Sequence, residues 1–402
     1  MKTLRKYLDE IKPHFEPGGR FQGLQSVFDG FETFLYTPRT TSRAGSVNVH
    51  DSLDSKRIMI IVVLALMPCL LFGMYNTGYQ NWLAAGATDF PFWQLMAYGF
   101  LAVLPRILVA YVVGLGIEFT VAQWRREEIQ EGFLVTGILI PLICPVETPL
   151  WLLAVATAFS VIFVKEVFGG TGYNVFNVAL VTRAFLFFAY PAQMSGDRVF
   201  VSSQSILGLG HDLPEGFTGA TPLGQIASFS GDKLELLNLR GDVISTWDAF
   251  LGLIPGSFGE TSTLCILIGA IILLITGIAS WRIMLSVVVG GLAMGWIANV
   301  FQTPTYPGSF LPPFDQLLYG GFAFAAVFMA TDPVTAARTG IGKYIYGLLV
   351  GVVAVLIRTY NNGYPEGAML AVLLANALAP LIDYCVVQAN VSRRMRRLKA
   401  GV

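Results

Sequence analysis

The sequence predicts an all-α integral membrane protein: ten transmembrane helices in two inverted five-helix repeats with short broken helices, plus a cytoplasmic N-terminal segment. Three observations carry this reading. Charged residues are only 13% of the 402, against 54% apolar, whereas soluble domains carry about 25% charged residues. Ten apolar runs follow one another, several shorter than the ~20 residues of a full span and interrupted by Gly and Pro. Lys and Arg cluster beside alternate runs, as the positive-inside rule requires of a multi-pass chain. The 26 basic and 26 acidic residues cancel, leaving no excess to neutralise nucleic-acid phosphates. The 29 Phe and 15 Tyr exclude a disordered chain.

Residues 1–57 are polar and hold nine Lys or Arg without an apolar core, so they form no signal peptide. Leu4, Tyr7, Leu8, Ile11 and Phe15 recur at helical spacing beside Lys2, Arg5, Lys6 and Lys12. This predicts an amphipathic helix on a membrane surface or a partner, ended near Pro13. The ten spans are 58–75, 94–123, 132–144, 150–164, 175–190, 263–280, 283–301, 319–331, 344–357 and 367–387. Short broken spans line internal sites, because freed backbone groups must be satisfied inside protein.

Basic residues mark the N-terminus, Arg125 and Arg126, Lys165, Arg282, Arg338 and Lys343, and the tail from Arg393 to Arg397, while 76–93 and 302–318 hold none. Both termini are therefore placed in the cytoplasm and the 191–262 connection outside. The length of that connection exempts Arg198, Lys233 and Arg240; Arg358 is the exception. A weak repeat relates spans three to five to spans eight to ten. Pro145-Val146 matches Pro333-Val334, and Asn174 matches Asn362 at the same offset. Five spans separate the copies, so they point oppositely and would build sites near the midplane. The expected units are 1–57 (N-terminal segment), 58–190 (first repeat), 191–262 (outer connection), 263–387 (second repeat) and 388–402 (basic tail).

The first chemistry-bearing segment runs from Glu215 to Leu223. Thr221 stands among small residues (Thr218, Gly219, Ala220) in an exposed connection, which leaves a modifying enzyme room to reach its hydroxyl. Equally, Thr221 before Pro222 reads as an N-cap followed by Pro at the first helical position. The second segment holds Phe168, Gly169, Gly170, Gly172, Tyr173, Asn174, Phe176 and Asn177. Its glycines permit close backbone approach, its amides offer hydrogen bonds and its rings offer stacking, a set suited to an isoalloxazine ring; a packed Gly-rich break fits as well. The third, Thr331-Asp332-Pro333-Val334-Thr335, places a carboxylate at a broken span end, suited to Na+ or to a helix cap paired with Arg338.

Glu131-Gly132-Phe133 could hold a quinone headgroup, or simply start a helix. Arg106, Glu118, Glu147, Arg183, Glu260 and Asp383 are charges in or beside spans and candidates on that ground. Cys69, Cys144, Cys265 and Cys385 form no C-x-x-C pair, and His14, His50 and His211 are scattered, so neither a thiolate metal site nor haem is expected. No Rossmann or P-loop fingerprint is present.

Thr218-Gly219-Ala220-Thr221 resembles the flavinylation motif of respiratory membrane complexes, with Glu215 where that family usually has Asp. Further motifs agree in family order: Val-Phe-Gly-Gly-Thr-Gly-Tyr-Asn (167–174), Gly-Ser-Phe-Gly-Glu-Thr-Ser (256–262), Ala-Thr-Asp-Pro-Val (330–334) and Tyr-Pro-Glu-Gly-Ala-Met-Leu (364–370). Val178 follows Asn177 where the family often has Pro. The chain thus resembles the B subunits of Na+-translocating NADH:quinone oxidoreductases and the related Rnf D subunits.

The resemblance implies FMN joined through its phosphate to Thr221 by a flavin transferase. It also implies riboflavin near Asn174 and Asn177, a ubiquinone site toward the cytoplasmic face, and Na+ transport. Partner subunits A, C, D, E and F in a bacterial inner membrane are implied too, with F taking hydride from NADH and C passing electrons to this FMN. The Rnf D subunit is the nearest alternative, and the long segment 1–57 argues against it. A flavin-free secondary transporter is a second alternative, and a passive membrane anchor a third.

Overall fold

Leu, Ile, Val, Ala and Phe fill the interior of every long apolar run, and each of the ten predicted windows contains a helix in the computed structural model. The structure describes residues 2–15, 18–25, 27–28, 32, 55–125, 132–194, 199–214, 217–229, 231, 234–361 and 363–399. Glu131 and Glu215 lie outside these residues, as do Arg126, Arg198, Lys233 and Asn362. All named elements among the described residues are helical; pairing is limited to two isolated bridges, Ile206 with Leu209 and Leu237 with Val243.

Helix α1 (Lys2–Ile11) is the amphipathic helix the spacing predicts, and Pro13 sits in the single 3-10 turn that ends it. Five helices are long and apolar enough to cross a membrane: α2 (Ser55–Ala84), α3 (Phe92–Arg125), and, further along, Trp281–Val300, Gly340–Tyr360 and Ala368–Lys399. Between them come α4 (Phe133–Ile143), α5 (Leu150–Ser160) and α6 (Val178–Ala189), then the six-residue α7 (Pro222–Ala227) and α8 (Thr246–Leu251). Next are α9 (Thr263–Ile275), α10 (Trp281–Val300), α11 (Phe322–Phe324), α12 (Gly340–Tyr360) and α13 (Ala368–Lys399). Helix α13 continues without a break through the basic stretch that the sequence suggests as a separate tail.

The short helices have visible stops. Asn177 caps α6 by accepting from the Leu180 N–H at 3.2 Å, which delays its start to Val178. Helices α5 and α11 each run into a π-helical turn, Val161–Glu166 and Ala325–Met329. Such wide turns are rare and gather at functional sites. At 11 residues, α4 rises only ~16 Å, about half a hydrocarbon core.

Buried Leu66, Ile140, Leu152, Leu180, Phe324, Val350 and Val372 belong to one core that joins elements from both halves of the chain. A second cluster, with Leu223, Ile226, Ile254, Leu311 and Leu318, fastens the 222–254 region to residues 311–319. Helices α10 and α12 meet backbone to backbone: a Cβ on Gly290 would lie 2.6 Å from the Leu348 carbonyl oxygen. Small residues of this kind let helices approach closely where lipid supplies no hydrophobic drive. Leu71, Leu108, Val112, Ile271, Val289 and Leu374 stay exposed. Many large apolar side chains exposed on long helices suit acyl chains rather than water.

Candidate functional site

Both π-helical turns and the N-terminal ends of α4 and α6 contribute to the wall of one cavity. Val135, Thr136 and Leu139 of α4 wall one side, Asn174, Asn177 and Val178 another, and Thr331, Asp332 and Pro333 a third. Residues from three separate expectations (the amide pair, Gly132 and Asp332) therefore line one space. Gly132 admits the neighbouring chain: a Cβ there would meet Thr171 Cγ2 at 2.5 Å. Thr171 also lines the cavity, and its Oγ1 is buried without a hydrogen-bond partner. An orphaned hydroxyl on a cavity wall is a group that a bound polar molecule can satisfy.

Asn177 is 7% exposed and works at both ends. Its Oδ1 caps α6, and its Nδ2 donates to Asp332 Oδ2 at 3.1 Å. Asp332 further accepts from the Val334 N–H at 3.0 Å and from the Thr335 hydroxyl at 3.1 Å. The expected Asp332–Arg338 cap pairing is not how these groups are used: the Arg338 N–H donates to Asp383 at 2.7 Å, and Asp332 instead ties its turn to Asn177. Asn174 donates to the Phe176 carbonyl at 2.9 Å, closing its own turn.

The remaining members of the Gly-rich segment stand elsewhere. Phe168 and Gly169 are exposed, Gly170 is half-buried, and Tyr173 is 69% exposed; none lines the cavity. Gly169 and Gly170 have φ of 117° and 94°, a left-handed backbone that side chains rarely adopt. Phe133 is fully buried, edge-on to the Tyr111 ring, and forms part of the core behind the cavity. Lys165 lines the cavity and makes a buried ion pair with Glu118, 5.9 Å from the Phe133 ring centroid. Arg125 supports the same turn, donating to the Glu166 carbonyl at 2.7 Å.

Thr221 lies at a second, smaller cavity. It is the N-cap of α7: its Oγ1 accepts from the Gly224 N–H at 3.1 Å, and Pro222 occupies the first helical position. That bond uses a lone pair and leaves the hydroxyl oxygen able to carry a substituent. Thr218 is exposed, Gly219 is buried, and Ala220 is half-buried with its carbonyl accepting from Gln225 at 3.2 Å. Helix cap and modifiable hydroxyl, alternatives in the sequence, are compatible in the structure.

Glu260 and Glu366 share this cavity with Thr221, and both pair with the buried Arg183. In the sequence Arg183 and Glu260 stand out only as intramembrane charges, and Glu366 only as part of a motif. No local spacing reveals the trio, since its members lie on α6, before α9 and before α13. Glu147 and Arg106 have local roles: Glu147 accepts from the Ser203 N–H at 2.8 Å, and Arg106 donates to the Ala102 carbonyl. Among the described residues no group of three metal-ligating side chains occurs.

Comparison with known proteins gives a family and full-length relatives. A family model described as the NQR2, RnfD, RnfE family matches residues 42–392. The B subunit of the Na(+)-translocating NADH-quinone reductase of Pseudomonas aeruginosa PAO1 is 44% identical over 416 residues, covering 98% of this chain and 99% of the relative. Its counterpart in Klebsiella pneumoniae strain 342 is 43% identical over 423 residues, covering 98% and 99%. That of Chromohalobacter salexigens is 44% identical over 414 residues, covering 98% and 96%.

Proposed function

The chain belongs to the NQR2, RnfD, RnfE family, and from that premise we propose that it is a membrane redox subunit of a Na+-pumping NADH:ubiquinone oxidoreductase. In this reading FMN is esterified to Thr221, riboflavin binds near Asn174 and Asn177, and ubiquinone is reduced toward the cytoplasmic face, on the side of α4 that Gly132 begins. Electron flow is coupled to Na+ export past Asp332. The protein acts with subunits A, C, D, E and F, and a flavin transferase loads Thr221. The ten helical windows form two opposed five-span repeats in a bacterial inner membrane, with both termini cytoplasmic and the 191–262 connection outside.

The observation that carries the reading is the placement of Thr221. Thr221 lines a cavity, and its neighbours Gly219 and Ala220 are small. The flavins supply the redox chemistry; the chain supplies position and exclusion of water. Thr221 Oγ1 is fixed by the Gly224 N–H, so a phosphoester there would start from a defined point. Thr171 Oγ1 and Thr136 offer hydroxyls inside the larger cavity, and Asn174 offers its amide carbonyl. Asp332, Thr331 and Thr335 bring hard oxygens together at a broken helix end, the donor type that Na+ takes in transporters. The three donors on Asp332 must yield for a cation to bind there.

The test is in-gel flavin fluorescence after denaturation, with the protein expressed beside its native transferase and Thr221→Ala in the next lane. A fluorescent band lost in the variant is the expected result. No band in either lane would mean that Glu215 does not replace the usual Asp, or would promote the flavin-free transporter. Ubiquinone reduction by the assembled complex distinguishes the quinone-reducing subunit from the Rnf D subunit.

A further inference from the structure

Arg183 lies within α6 and is 2% exposed. Its guanidinium joins three distant segments. Nη1 donates to the Ile143 carbonyl at the end of α4, to the Ser257 hydroxyl at 3.2 Å and to Glu260 at 3.1 Å; Nη2 donates to Glu366. Glu260 and Glu366 form part of the wall of the cavity that Thr221 also lines. Gly321 makes room for one of them, because a Cβ there would come within 2.9 Å of the Glu260 carboxylate. A second buried guanidinium, Arg358, donates to the Gln316 carbonyl and, at 3.2 Å, to the Glu366 carbonyl, while its Nε has no partner. Two guanidiniums thus formally balance two carboxylates at this junction.

Burying four charges is expensive, and apolar side chains of similar volume would pack the same junction at lower cost. The two carboxylates line a cavity that Thr221, the residue assigned to flavin, also lines. We infer that Arg183 is a positioning residue that sets the reduction potential of the group carried by Thr221, by holding Glu260 and Glu366 as a neutralised part of its surroundings. The inference rests on the reading of Thr221 as the flavin attachment point. Its physics is direct. In a poorly hydrated site an uncompensated carboxylate opposes added electrons, and an uncompensated guanidinium favours them. Arg183 suits the task because one planar fork reaches two carboxylates; an ammonium keeps the charge without the fork.

The experiment compares Arg183→Gln, Arg183→Lys and Glu366→Gln in the assembled complex, reading in-gel flavin fluorescence and then a redox titration of the covalent flavin. The band is expected in all three. In Arg183→Gln the equilibrium moves at least tenfold toward oxidised flavin, about 30 mV more negative for a two-electron couple. In Glu366→Gln it moves the opposite way, and Arg183→Lys falls between wild type and Arg183→Gln. Opposite signs are the signature, since a merely structural role would shift both variants alike or neither. Unmoved potentials, or shifts of one sign, overturn the inference while the band upholds the attachment. If Arg183→Gln does not accumulate, Glu366→Gln decides alone: an upward shift supports the inference and none overturns it. Absence of a band in wild type overturns attachment and inference together.

Discussion

Replacing Asn177 should separate two contributions that its side chain makes at once. The Oδ1 cap on α6 is worth about 1 kcal/mol. The Nδ2 bond to Asp332 is a hydrogen bond to a carboxylate in a mostly buried place, worth about 1.5–3 kcal/mol. Asn177→Ala removes both, so the expected loss is about 2.5–4 kcal/mol. Asn177→Ser keeps an N-cap oxygen but is too short to reach Asp332, so it should lose only the second part. The assay is the thermal midpoint of the detergent-solubilised complex, compared at one scan rate because such unfolding is irreversible, with noncovalent flavin content measured on the same samples. The expected order of midpoints is wild type, then Ser, then Ala, and both variants should retain less noncovalent flavin than wild type. A Ser variant at or below the Ala variant, or an Ala variant equal to wild type, would refute the division of labour.

Three further outcomes follow from packing and charge. Lys165→Met leaves Glu118 buried and unpaired, which should cost about 3–5 kcal/mol, and adding Glu118→Leu should recover much of the lost midpoint. Gly290→Ala puts a methyl 2.6 Å from the Leu348 carbonyl oxygen, so α10 and α12 must part; about 1–3 kcal/mol of stability should go, read as a lower thermal midpoint. Gly132→Ala pushes on Thr171 and narrows the larger cavity, so quinone reduction by the complex should fall while the covalent flavin band at Thr221 stays unchanged.

The helices are legible in the sequence because their signal is composition. Long apolar runs with few charges leave a chain no other place to hide its backbone. Helix ends are less legible where a side chain sets them. The 175–190 run begins as a helix only at Val178, where the Asn177 side chain caps it by accepting from the Leu180 N–H. The two π-helical turns leave no trace in periodicity, since residues 161–166 and 325–329 are as apolar as their surroundings save for Lys165 and Glu166. Asn174, Asn177 and Asp332 are legible one by one as polar residues at breaks. Their shared cavity is not, because 155 residues separate Asn177 from Asp332 and only the fold joins them. Phe168 and Tyr173 show the converse: aromatic side chains beside glycines suggest stacking faces, yet both are largely exposed and neither lines that cavity.

What links the two cavities is the shortness of α4 and α6. Helix α4 has Val135, Thr136 and Leu139 on the larger cavity and offers its Ile143 carbonyl to Arg183 beside the smaller one. Helix α6 has Asn177 at its cap on the larger cavity and Arg183 six positions on, a rise of ~9 Å. Twenty-residue helices in these places would carry the second site a full hydrocarbon thickness from the first. Eleven or twelve residues bring both sites to the same pair of helices, and the polar breaks that make the helices short also furnish the groups that line the larger cavity. The Gly-rich and Asp-Pro interruptions are therefore not defects in two spans. They set the separation of the two cavities, and the buried Arg183 pairs lie where the second cavity meets the helix interior.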